Sequence, residues 1–146
     1  MKLKLIKAKK RDTLFFYKLR NDKINRKNSV STKKIKFNNH KDWFFKTIKK
    51  KSNFIFIVKK EKINCGYLRY EKKGNFLNVS ICIGEKFRNK NVALSALLIG
   101  DKRVKKNKIL KLKAVVKKNN FPSIKLFLKA SYTIFKKEKN LIFFKK

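Results

Sequence analysis

The chain has 146 residues, enough for one domain with a sizeable core, and carries 44 Lys plus Arg against 8 Asp plus Glu, a formal net charge of +36. The lysines run throughout, beside 14 Phe, 4 Gly and 1 Pro. That excludes a simple nucleic-acid-binding tail and fits a codon bias towards Lys, Asn, Ile and Phe, while the resulting field still favours anionic ligands. A single His and two Cys with no CxxC exclude a Cys/His zinc site of usual spacing, so no metal is expected, and no apolar run reaches membrane length.

Met1 to Ile6 reads as a first strand and not as a secretion signal, with Leu3, Leu5 and Ala8 turned inward. Arg11-Asp12-Thr13 can cap a helix through Leu14, Phe15, Tyr17 and Leu19, which Asn21 and Asp22 close. Arg26, Ser29, Ile35, His40, Trp43 and Phe44 follow, in a second helical region and the loop before it. Phe54 to Val58 is a strongly apolar strand. Ile63 to Tyr70 is the next, with Gly66 marking a bend. After a turn at Lys72–Asn75, Phe76 begins a third strand that completes an antiparallel meander. On it Leu77, Val79, Ile81 and Ile83 share one face at the two-residue period of a strand. Cys65 and Cys82 fall in these strands, which suits buried, reduced thiols and a cytoplasmic location.

The polar turn Arg88-Asn-Lys-Asn91 then feeds an apolar helix, Val92 to Ile99. The first N–H groups of such a helix lack partners and sit at the positive end of its dipole. With Arg88 and Lys90 beside them, they form an anion site suited to phosphate. Lys105–Lys108 is a polar connection. Ile109 to Lys117 is a strand with Leu110, Leu112, Ala114 and Val116 on one face. Asn120 can cap a last helix that has Pro122 in its first turn and Ile124, Phe127, Leu128 and Ser131 at helical spacing. Two strands, Tyr132–Lys136 and Leu141–Phe144, end the chain.

Three motif regions resemble the GNAT family of N-acetyltransferases. Arg88-Asn-Lys-Asn-Val-Ala93 is similar to its Arg/Gln-x-x-Gly-x-Gly/Ala turn, with Asn91, the residue most tolerant of a left-handed backbone after glycine, in the glycine position. Asn120, Ser123, Phe127, Ser131 and Tyr132 fall in register with Asn-x-x-Ala/Ser-x3-Tyr-x3-Gly-Phe. Arg20-Asn-Asp22, Arg26, Ser29, His40 and Trp43 resemble the N-terminal half of family members that acetylate amino-sugar nucleotides in nonulosonate and flagellin-glycan pathways. Related patterns occur in members that modify protein N-termini and ribosomal proteins.

The resemblance implies an α/β (α+β) GNAT fold over residues 1–146 as one domain. A mixed sheet of about seven strands would carry helices on both faces, with its fourth and fifth strands splayed. It implies acetyl-CoA as donor, held by Ile81, Ile83, Arg88, Asn89, Lys90, Asn91, Val92, Ala93, Asn120 and Ser123. It implies a primary-amine acceptor, an amino-sugar nucleotide foremost, met by Asn21, Arg26, His40 and Trp43. Glu85 or His40 is the candidate general base. Phe127 stands where the family often has a tyrosine acid, and Ser131 where it has glycine. The alternatives are a protein or peptide N-terminal acetyltransferase, and a catalytically weakened, basic GNAT-like protein that binds nucleic acid through charge. The chain is expected as a monomer or homodimer.

Overall fold

A computed structural model describes residues 2–106 and 110–146; Met1, the expected connection residues Asn107 and Lys108, and the expected strand start at Ile109 lie outside them. Among the described residues the strands are β1 (Leu3–Lys7), β2 (Phe54–Lys60), β3 (Ile63–Lys73), β4 (Phe76–Ile83), β5 (Lys111–Lys117), β6 (Thr133–Glu138) and β7 (Leu141–Lys145). The helices are α1 (Thr13–Asn21), α2 (Lys23–Asn28), α3 (Phe37–Lys49), α4 (Val92–Lys105) and α5 (Phe121–Lys129). The strands form one sheet ordered β1-β2-β3-β4-β5-β7-β6. Neighbours are antiparallel except β4 and β5, which run parallel.

Strand periodicity sorts the core into two layers. Along β2, Phe56 and Val58 join the larger cluster with Leu68, Leu97, Leu112, Phe127 and Phe144, under α4 and α5. Ile55 and Ile57 alternate onto the other face and pack with Phe16, Phe44 and Tyr67, under α1 and α3. Helices therefore cover both faces, as the sequence predicts. On β4 the alternation holds: Leu77, Val79 and Ile83 are buried, and Ile81 packs against the same cluster.

The short helix α2 is an element that periodicity does not reveal. Asp22 leaves the helical conformation at ψ 136° and its carboxylate accepts from Asn25 N–H at 3.3 Å, so it ends α1 and caps α2. Asn21 ties down the loop beyond: its Oδ1 accepts from Ile35 N–H at 2.9 Å, and its Nδ2 donates to Ile35 O at 3.2 Å.

Two glycines set close approaches. At Gly66 a Cβ would lie 2.3 Å from Cys82 O on the neighbouring strand, and the β2–β3 register slips beside it, so the expected bend is a bulge. At Gly100 a Cβ would lie 2.4 Å from the Tyr70 hydroxyl, so glycine lets α4 settle onto β3. There Tyr70 donates to Asp101 Oδ1 at 2.7 Å, Tyr132 donates to the same oxygen at 3.0 Å, and Lys146 Nζ donates to Oδ2 at 3.0 Å. Asp101 is 2% exposed, and burial raises its carboxyl above the ordinary range despite these donors.

Candidate active-site groove

β4 and β5 pair over only three residues, Phe76↔Lys111, Leu77↔Leu112 and Asn78↔Lys113. Beyond Asn78 the strands part, and alternate backbone groups on that edge of β4 lose their strand partner. The split opens into a groove of about 700 Å³. One wall is β4 and the start of α4, another is β5 with α5, and the end of α1, α2 and the following loop close the third side.

The turn into α4 is built as the spacing implies. Asn91 adopts φ 59°, ψ 12°, and Asn89 has φ 60°. Ser95 N–H bonds to Asn91 O at 3.0 Å, the first bond of the helix. The N–H groups of Val92, Ala93 and Leu94 have no acceptor within the helix, and all three residues line the groove. On the opposite wall Asn120 Oδ1 accepts from Ser123 N–H at 3.3 Å, capping α5 with Pro122 in its first turn. Ser131 holds φ 69°, which explains why glycine would suit that position.

Of the ten residues expected to hold the donor, nine line the groove: Ile81, Ile83, Arg88, Asn89, Asn91, Val92, Ala93, Asn120 and Ser123. Lys90 does not line it, and its ammonium bonds back to Lys86 O at 3.0 Å. The Arg88 side chain turns towards the α1–α2 corner. It donates to Ile83 O at 3.1 Å, Asn25 Oδ1 at 3.0 Å and Asp22 Oδ2 at 3.3 Å, clamping that corner to the end of β4.

The residues expected to meet the acceptor are placed differently. Asn21, Arg26, His40 and Trp43 are not among the groove's lining residues; Arg20, Asn25, Ser29, Tyr67 and Arg69 are. Arg20 stands next to Asn21 in sequence, and only the winding of α1 decides which of the two faces the groove. Arg69 sits on β3 with no local pattern to distinguish it from its neighbours. Arg20 Nη1 donates to Ser29 Oγ. Arg69 donates to Glu71 at 2.7 Å and lies over the Trp43 ring at 4.9 Å and the Tyr67 ring at 5.6 Å. Trp43 therefore braces a groove residue from behind.

Neither candidate base reaches the groove. Glu85 is exposed on the turn after β4. His40 is 2% exposed, stacked on Phe44 and flanked by Tyr17 and Trp43, and its Nε2–H donates to Thr13 O at 3.3 Å. Burial lowers its pKa below the ordinary 6.5, with Arg69 and Arg20 adding to the effect against the Thr13 bond. The unfolded chain thus takes up a proton before the folded one as pH falls, and this contribution to stability is lost below about 6.5. Asp101, with its raised carboxyl, acts in the opposite sense. The expected result is a shallower fall in urea-unfolding stability between pH 7.5 and 5.5 in His40→Phe than in the parent, with stability at each pH read separately.

Among the described residues, the groove lining contains no Asp, Glu or His. Its Cys82 thiol and Tyr67 phenol stay protonated near neutrality. Burial pushes the Cys82 thiol up to about 12 against the pull of nearby Arg88, Arg69 and Arg20, and it raises the Tyr67 phenol as well. Phe127, 3% exposed, brings no hydroxyl. A second cleft, of about 1120 Å³, lies at the other end of α4 and is lined by Lys51, Lys72, Lys105, Lys106, Lys111 and Lys113. Among the described residues, no group of three or more His, Cys, Asp or Glu could hold a metal, and no helix is long and apolar enough to cross a membrane.

A seven-stranded mixed sheet parted between β4 and β5, with α4 opening at the split, is the fold of the GNAT acetyltransferases. An acetyltransferase of the GNAT family from Streptococcus pneumoniae superposes with a TM-score of 0.78 at 13% identity, covering 99% of this chain and 98% of its own. A ribosomal-protein-alanine N-acetyltransferase from Brucella melitensis gives 0.81 at 14% identity, over 100% and 99%. A spermidine N-acetyltransferase from Vibrio cholerae, in complex with CoA and spermine, gives 0.80 at 15%, over 98% and 92%. No family model and no curated protein matches the sequence.

Proposed function

We propose that residues 1–146 form one acetyl-CoA-dependent N-acetyltransferase domain, acting in the cytoplasm on a primary amine, with an amino-sugar nucleotide as the favoured acceptor. The observation that carries this reading is the groove at the β4–β5 split, which meets the start of α4 at the left-handed Asn91. The residues fit the donor. The N–H groups of Val92, Ala93 and Leu94 would receive its pyrophosphate, and the unpaired edge of β4 near Ile81 and Ile83 would receive its amide arm as an added strand. The donor supplies an activated acyl thioester. A β4 N–H aimed at its carbonyl oxygen would stabilise the charge that develops there, and alignment of amine with carbonyl supplies much of the remaining rate.

Proton handling follows from the lining. With no carboxylate or imidazole in the groove among the described residues, the amine proton leaves to water. Phe127, in the position of the expected acid, would offer no proton to a leaving thiolate. Both features point to a modest turnover number. The spread of acceptors among proteins of similar fold, from a polyamine to a ribosomal protein, keeps protein N-termini as the second acceptor class.

Calorimetric titration with acetyl-CoA at low and high salt tests the reading. Saturable, near-stoichiometric binding that survives salt supports it. Binding that salt abolishes and any polyanion reproduces would replace it with charge-driven nucleic-acid binding, for which the lysine cleft at the far end of α4 is the surface to examine.

A further inference from the structure

We infer that the acceptor is an amine bearing an oxyanion, and that Arg20 and Arg69 are the residues that read it. This rests on the groove being an acetyl-transfer site and assigns the recognition to side chains outside the sequence-derived set.

Arg20 comes from α1 and Arg69 from β3, and both line the groove. They approach one spot: Arg69 lies over the Tyr67 ring at 5.6 Å, and Cys82, paired with Tyr67 across β3 and β4, reaches Leu19 O, the residue before Arg20, at 3.9 Å. The two arginines differ in what they are already bound to. Arg69 has Glu71 as counterion and aromatic rings beneath it, and its Nε–H is buried with no partner. Arg20 is held by the neutral Ser29 hydroxyl and forms no ion pair among the described residues. A guanidinium oriented by a neutral acceptor keeps its charge and several N–H donors for a ligand, in a geometry suited to phosphate or carboxylate. The third groove arginine, Arg88, is already occupied by Asp22, Asn25 and Ile83.

The lining also disfavours a polycation. A polyamine needs carboxylates to replace its hydration, and none lines this groove among the described residues. The protein's general positive field does not account for the specificity expected here. Removing one charge from a net of +36 barely changes non-specific attraction of anions, whereas it removes a large share of a two-arginine site.

Trp43, the chain's one tryptophan, stands over Arg69 at 4.9 Å and reports on it. The test is a fluorescence titration of the full chain, alone and saturated with CoA, at fixed ionic strength. Glucosamine 6-phosphate, glucosamine, glutamate and spermidine serve as matched probes. Glucosamine 6-phosphate is expected to give a saturable change at least tenfold tighter than glucosamine or spermidine; glutamate separates carboxylate from phosphate recognition. Arg20→Gln is expected to weaken the phosphorylated amine at least tenfold with its acetyl-CoA affinity unchanged, and Arg20→Lys to recover part of the loss. Equal affinity for glucosamine or spermidine, or an unchanged response in Arg20→Gln, overturns the inference while leaving the donor site standing. Failure of CoA to bind removes the enzymatic reading, and the titration of the chain alone still decides whether Arg20 and Arg69 hold an oxyanion.

Discussion

Asp101→Ala is expected to lower the unfolding free energy by about 3–5 kcal/mol, measured as a shift in the urea midpoint at neutral pH. The carboxylate accepts from Tyr70, Tyr132 and Lys146 in the interior. Truncation strands two buried phenol donors, at about 1–3 kcal/mol each, and an ammonium that must find solvent. The residues joined this way come from α4, β3, the residue just before β6 and the residue just after β7, so the loss reaches across the β4–β5 seam. Asp101→Asn keeps an acceptor for the two tyrosines and loses only the charge facing Lys146. Its expected cost is about 1–2 kcal/mol. If the two variants were equally damaging, the ion pair and not the phenol bonds would be the principal contribution.

Asn91→Val is expected to weaken acetyl-CoA binding more than tenfold by calorimetry. At φ 59° a β-branched side chain meets its own backbone, at a cost of about 1–2 kcal/mol that the turn relieves by unwinding. Unwinding disperses the N–H groups of Val92, Ala93 and Leu94, which act on a phosphate only when they converge. Asn91→Gly removes the strain without moving the backbone, so its affinity is expected to equal or exceed that of the parent. Unaltered affinity in Asn91→Val would show that the donor's phosphates are held elsewhere.

What could be read from the sequence was what local chemistry decides. Asn91 reads as a left-handed residue from its tolerance alone, and Asn120 as a cap from the proline two residues on; both hold. The alternation along β4 and β5 placed their inward faces, because a strand with one face on a core has no second register. The acceptor side was hidden for a different reason. Asn21 and Arg20 are adjacent, and their fates separate only when α1 docks: one clamps Ile35, the other faces the groove. Trp43 and His40 are polar enough to suggest contact with a ligand. The packing instead puts Trp43 behind Arg69 and seals His40 against Thr13. Arg88 has the residue type of a phosphate ligand, yet its side chain is drawn off by Asp22, a partner 66 positions away that no short-range pattern identifies.

The three-pair contact between β4 and β5 also bears on how the protein moves. Four strands lie on one side of that seam and three on the other, and few backbone bonds span it. Opening the seam breaks far fewer hydrogen bonds than melting either side, so it belongs among the low-energy excursions of the native state. Amide protons along the free edge of β4 should therefore exchange well before those of β2 and β3. The groove can widen and narrow by pivoting at Phe76–Asn78, with no loop or lid required to admit a bulky guest.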